Sequence, residues 1–167
     1  MHVDLSQMRP PRGSLLKILA VVAGLTVVYA VVPLQNEHWW VGMIVGLVAL
    51  GAITPFAIKR VSAISTSAHP GAAAVSAIAI VVAMLVLGFS GVYLALDRHH
   101  QEFEGLATKV DAVYFTVTTL STVGYGDIHP VGQKARIAVT MQIIMDLSLI
   151  AVVVRVLARA AGLRRSE

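Results

Sequence analysis

Cysteine is absent from this chain of 167 residues, so disulfides and thiolate metal sites are excluded. Charge is scarce as well: Asp, Glu, Lys and Arg make up 13% of the residues, against 57% hydrophobic ones. With a mean hydropathy of +0.79, such a chain has too few polar groups to cover a soluble domain of its size. The net charge of +4 does not point to nucleic acid, because the basic residues sit at the ends of apolar runs. No clustered catalytic side chains, phosphate-binding loop or metal-ligand spacing occurs, so neither an enzyme nor a bound cofactor is expected. What is present in abundance is long apolar sequence, and the expectation is an all-α membrane protein.

A membrane helix needs about 20 mainly apolar residues. Four runs qualify, at 15–32, 39–58, 72–96 and 135–157. Pro33 ends the first, and Lys59 with Arg60 ends the second. His69-Pro70-Gly71 leads into the third, which closes at Asp97-Arg98. Arg9, Arg12 and Lys17 give the first run the basic start of a secretory signal. It is too long for a signal core, however, and another run follows almost at once, so it reads as a retained helix. If the N-terminus is cytoplasmic, nine basic residues fall inside and four (Arg98, Lys109, Lys134 and Arg136) outside. That bias predicts a multi-pass protein of the cell (inner) membrane with both termini in the cytoplasm. Trp39 and Trp40 then lie at an outer boundary, as anchors. The organisation is a cytoplasmic segment 1–14, a helical hairpin 15–58, a linker 59–71, a second membrane module 72–158 and a tail 159–167. No nucleotide- or calcium-binding domain is expected in so short a tail.

The connection from Asp97 to Ser121 contains a helix signal of its own. Thr108, with Asp111 three residues on, resembles a capping box. The apolar stretch that follows is too short to span a bilayer and reads as a re-entrant helix. Next comes Thr122-Val123-Gly124-Tyr125-Gly126. Irregular backbone at membrane depth is tolerated only where protein buries it or a water-filled path runs beside it. Gly124 and Gly126 can adopt left-handed angles. Alternating handedness turns successive carbonyls to one side, and such a row can replace the hydration shell of a monovalent cation. Val123 and Tyr125 then point away from the row, and Thr122 adds a hydroxyl at its inner end. The C-terminal end of the short helix, near Leu120 and Ser121, adds a partial negative charge. One segment cannot surround an ion, so several chains must assemble around an axis.

TTLSTVGYGD, residues 118–127, resembles the signature of potassium-selective channels, and the likeness extends over about residues 72–160. The simplest bacterial members have two spans per chain; here a hairpin precedes them. The resemblance implies a homotetramer that passes potassium over sodium, with an outer helix, a pore helix, a filter and an inner helix. Potassium would be the permeant ion, held only by filter oxygens. Thr122, Val123, Gly124, Tyr125 and Gly126 take the filter roles. Tyr114 and Phe115 match an aromatic cuff, and Thr119 a hydroxyl that reaches the filter tyrosine, here Tyr125. Asp127 lies where it braces the filter or draws cations to the outer mouth. Thr118 stands where some relatives carry a carboxylate, so a protonated pair with Asp127 is unavailable. Phe115 lacks the indole donor of several relatives.

Neither added helix carries a charge in its middle, which argues against a voltage sensor. Gly42 and Gly46 form a small-residue face suited to close helix contact. Asp146, an ionisable residue within a span, is the main anomaly. It lies 20 residues after Gly126, where relatives often have a hinge glycine, and none occurs between Gly132 and Gly162. Asp146 and Gln142 share a helix face. Two placements are open: a ring of carboxylates in the cavity that holds cationic blockers, or a side-wall position bonded to Thr54, Ser90 or Tyr93. If the inner helix resembles that of its relatives without gaps, Leu147, Ile150, Val154 and Ala158 fall at the cavity and lower gate. Arg155 and Arg159 are candidates for contact with anionic lipid head groups. His99, His100, Glu102 and Glu104 read as a solvated outer loop rather than a proton sensor or metal site. Rival readings are a nonselective cation channel and a non-conducting membrane subunit or sensor.

Overall fold

The computed structural model describes residues 12–31, 39–65 and 70–162. Five helices occur among them: α1 (Arg12–Val31), α2 (Trp39–Ser65), α3 (Pro70–His100), α4 (Lys109–Leu120) and α5 (Gln133–Gly162). Two short strands, β1 (Phe103–Glu104) and β2 (His129–Pro130), pair antiparallel, with Phe103 opposite Pro130 and Glu104 opposite His129. The all-α expectation thus needs one small addition, a two-stranded clip outside the helices.

Helix ends and apolar-run ends do not coincide. α2 continues past Lys59 and Arg60 to Ser65, because basic residues end a membrane span without ending a helix. α2 also carries Pro55 in its interior, a residue that removes one helix hydrogen bond. α3 begins at Pro70, whose fixed φ suits a first helical position. It ends at Gln101, which takes the left-handed terminal conformation, φ 51°, and donates its N–H to the Asp97 carbonyl at 2.8 Å. α5 stops at Gly162.

α3 is the centre of the molecule, and α1, α2, α4 and α5 all pack against it. Close approach of α2 depends on glycine: a Cβ at Gly46 would lie 2.6 Å from the Gly88 carbonyl and 2.9 Å from a Val92 methyl. The surroundings of Gly42 and of Thr54 lie outside the described residues. The core continues toward α4 through an aromatic cluster, in which Tyr93 packs on Phe89, Phe103 and Phe115 at centroid distances of 5.8, 5.2 and 5.3 Å. Edge and tilted arrangements of this kind are favourable beyond the area they bury.

Among the described residues two stretches are long and apolar enough to cross a membrane, Ala73–Arg98 and Gln133–Arg155. Shorter apolar stretches, Leu19–Val31 and Met43–Ile53, lie in α1 and α2.

Candidate functional site

The site is built on α4. Thr108 is its N-cap and accepts from the Asp111 amide at 3.1 Å, while the Asp111 carboxylate accepts from the Thr108 amide at 2.7 Å. That reciprocal pair satisfies two donors a helix start leaves open. The Ala107 amide adds a third bond to the same carboxylate, 3.1 Å. Desolvation pushes the Asp111 carboxyl up, but the bonds from Thr108 and Ala107 outweigh it and hold it below the usual carboxylate range. With 12 residues, α4 is about 18 Å long at 1.5 Å per residue, too short to cross a bilayer.

At its other end α4 hands the chain directly to the glycine-containing run. The Ser121 amide donates to Val117 O (2.9 Å), Thr122 to Thr119 O (3.0 Å), and Val123 and Gly124 both to Thr118 O (3.0 and 3.3 Å). The Thr118 and Thr119 hydroxyls both donate to the Phe115 carbonyl, at 2.9 and 2.8 Å. The amides of Thr122, Val123 and Gly124, the inner part of the run, are therefore committed to the helix. Among the described residues nothing donates to the carbonyls of Thr122 through Gly126.

Handedness alternates along the run. Thr122, Gly124 and Gly126 have φ of 59°, 54° and 81°, and Val123 and Tyr125 between them do not. A Cβ at Gly124 or Gly126 would meet nothing within 4 Å, so these glycines serve conformation, not space. Thr122 is the unforeseen member. A β-branched residue at positive φ is strained, and such strain persists where surrounding structure over-determines it; here its amide is tied to Thr119. The every-second-residue pattern, counted back from Gly126, is the signal that would have found it.

Tyr114 faces this run. Its phenol donates to Asp127 Oδ2 at 2.9 Å, and its ring lies parallel to that of Tyr125, centroids 6.3 Å apart. The bond to the Asp127 carboxylate holds the phenol above its ordinary pKa. Phe115 instead points into the aromatic core. Thr119 and Tyr125 are not brought together within one chain. Ser121 through Asp127 are all exposed.

The outer loop is solvated at His100 and Glu104, as expected, but not at Glu102. Glu102 is buried, and its carbonyl accepts from the Val131 and Gly132 amides at 2.9 and 3.0 Å. Its carboxylate accepts from the Ala135 amide at 3.1 Å, capping α5. A Cβ at Gly132 would collide with that carboxylate. Gly105, at φ 82°, packs against the Asp127 carbonyl. Glu104 faces His129 at 3.4 Å, and His100 lies 2.7 Å from the Lys134 amine. No group of three or more metal-ligating side chains occurs among the described residues. Sequence reasoning missed the role of Glu102, because its partner lies 33 positions away.

Gln142 and Asp146 lie buried on the side of α5 that meets α3 and α4. Tyr93 donates to Gln142 Oε1 at 2.5 Å, and the Gln142 amide donates to Thr116 O (3.2 Å) and Asp146 Oδ2 (3.0 Å). Asp146 Oδ1 has no partner among the described residues. Ser90 reaches Thr116, 3.1 Å away, rather than Asp146. Leu147, Ile150, Val154 and Arg155 are exposed. The side chains of Ala158, Arg159 and His99 lie outside the described residues.

A short helix thus feeds a run of alternating handedness, and two long apolar helices flank the pair along the chain. Residues 79–162, about half of the chain, match the profile of the family described as "Ion channel". The chain belongs to this ion channel family, whose members are not enzymes and reside in membranes. It is 41% identical over 58 residues to two pore potassium channel b of Oryza sativa subsp. japonica, covering 35% of this chain and 16% of that protein. It is 32% identical over 86 residues to a protein of Rhodopseudomonas palustris named as a potassium channel protein, covering 49% of this chain and 21% of that protein. The resemblance to potassium channels is upheld by both names. The chain spans about a fifth or less of the length of these curated relatives. No solved structure matches it.

Proposed function

We propose that this chain is one subunit of a homotetrameric, potassium-selective channel that conducts passively across the cell membrane. Thr122 to Gly126 form the filter, α4 is the re-entrant pore helix, α3 the outer helix and α5 the inner helix. α1 and α2 are two further spans, so both termini face the cytoplasm. The observation that carries the reading is the alternation of φ sign from Thr122 to Gly126, with no donor to their carbonyls among the described residues. An unbonded row of oxygens at membrane depth needs a ligand, and a dehydrated potassium ion is one. Assembly is supported by the exposure of Val123 and Tyr125, at 54% and 71%, in the single chain. Apolar groups flanking a polar row need cover from other copies.

Within this reading Asp146 and Gln142 are side-wall residues that tie α5 to α3 and α4, not a cavity ring. Leu147, Ile150 and Val154, with Ala158 beyond them, line the cavity and a constriction that gates by dewetting. Arg155 and Arg159 meet anionic lipid head groups at the cytoplasmic surface. Tyr114 braces the filter through Asp127.

Purified protein in proteoliposomes tests the proposal. Rubidium uptake driven by an internal potassium load is expected, and in planar bilayers the reversal potential should follow the potassium gradient. A reversal potential that treats sodium and potassium alike makes the protein a nonselective channel. No uptake at all makes it a non-conducting subunit, and a monomeric mass in detergent removes the pore.

A further inference from the structure

One contact ties the N-terminal hairpin to the first residue of α4. Lys109 Nζ donates to the carbonyls of Ala30 (2.7 Å) and Tyr29 (3.2 Å), while the Tyr29 hydroxyl donates to the Lys109 carbonyl at 3.2 Å. The ammonium also lies 5.9 Å from the centre of the Tyr29 ring. Side chain and backbone are thus exchanged in both directions between residues 80 positions apart. The electrostatics explain why. Tyr29 and Ala30 lie in the last turn of α1, which ends at Val31. Carbonyls there lack donors within the helix and carry the negative end of its dipole. Lys109 opens α4, at the positive end of that helix, where an ammonium is disfavoured. Reaching across to α1 relieves both ends with one cation. Tyr29 is buried at this contact, so water competes poorly for its bonds.

We propose that Tyr29 and Lys109 form a latch through which the hairpin holds α4, and that Lys109 is a positioning residue for the filter. α4 is a single rigid element. Its far end carries the bonds from Thr122, Val123 and Gly124 that fix the inner part of the run. Slack at Lys109 is therefore transmitted to the carbonyl row, and the hairpin sets how firmly the conducting shape is kept. The consequence for conduction rests on the channel reading above; the mechanical coupling does not.

Hydrogen exchange measured by mass spectrometry on the full-length protein in detergent separates the two. In Lys109→Met, peptides covering 109–124 should exchange roughly tenfold faster than in the wild type, the scale of losing charge-assisted bonds. Lys109→Arg, which keeps a cation within reach, should stay near the wild type. Tyr29→Phe keeps the ring and the charge and should give about threefold; it carries the test if Lys109→Met does not assemble. Faster exchange confined to the end of α1, with 109–124 unchanged, overturns the latch. In parallel bilayer recordings, Lys109→Met should shorten potassium-conducting openings several-fold at unchanged single-channel conductance. Openings of wild-type length, beside faster exchange, overturn the filter-positioning role. Absence of any wild-type current overturns the channel reading, and the exchange comparison still decides the latch.

Discussion

α3 and α5 are nearly equal in length, 31 and 30 residues, and both carry a stretch apolar enough to cross a membrane. They differ in how the chain treats them. In the most apolar part of α3, 56% of residues are buried within the chain; in α5 the share is 11%. What α5 does bury includes two polar residues, Gln142 and Asp146, while Ile137, Met141, Ile144, Leu147, Ile150 and Val154 are exposed. That is the reverse of a water-soluble helix. The polar groups must find protein partners because lipid offers none, whereas the apolar ones are content in lipid or against another copy. α3 is completed by its own chain. On the proposed reading α5 is completed by the membrane and by other copies of the chain, and the proposed filter beside it is in the same position.

The most severe way to break this division acts on the proposed filter and leaves both helices alone. Gly124→Asp puts a side chain and a charge where a left-handed glycine stands, and rubidium uptake should fall to the protein-free background while the assembled mass is kept. Next in size is a change on the completed side. Gly46→Leu would drive a side chain into the backbone of Gly88, at a cost of about 3 kcal/mol, within the overpacking range. Denaturant unfolding in detergent should report a loss of that order. Smaller again is a change at the seam of the two helices. Tyr93→Phe leaves the buried Gln142 oxygen without its donor and should cost about 1–2 kcal/mol by the same measurement, with rubidium uptake largely retained. The smallest effect sharpens the comparison most. Asp146→Asn keeps an acceptor for Gln142 and removes the charge, so stability should stay within about 1 kcal/mol. The shape of the current–voltage relation should not change with internal magnesium present. A loss of rectification would turn that face of α5 toward the cavity.

Parts of this arrangement could be read along the chain. The cap of α4 was legible because Thr108 and Asp111 are three positions apart and bond each other. The handedness of Gly124 and Gly126 was legible because few other residues take those angles readily. Thr122 was half legible, since the alternation demands it but its side chain resists it. The outer loop misled: His99, His100, Glu102 and Glu104 look like a hydrated cluster by proximity, yet Glu102 is buried as the cap of a helix that starts beyond the filter. The apolar runs at 39–58 and 135–157 do not give the ends of α2 and α5, since charge marks where lipid ends and not where helical hydrogen bonding does.

By itself the sequence determined the apolar runs, the capped short helix and the glycine pattern that follows it, because each depends on backbone preferences spanning a few residues. Only the tertiary structure decided which way Asp146 faces, what Glu102 caps and that Lys109 reaches the end of α1. Those outcomes depend on which surfaces meet between residues 33 to 80 positions apart, and burial and pairing at such distances are properties of the packed helices, not of any local stretch.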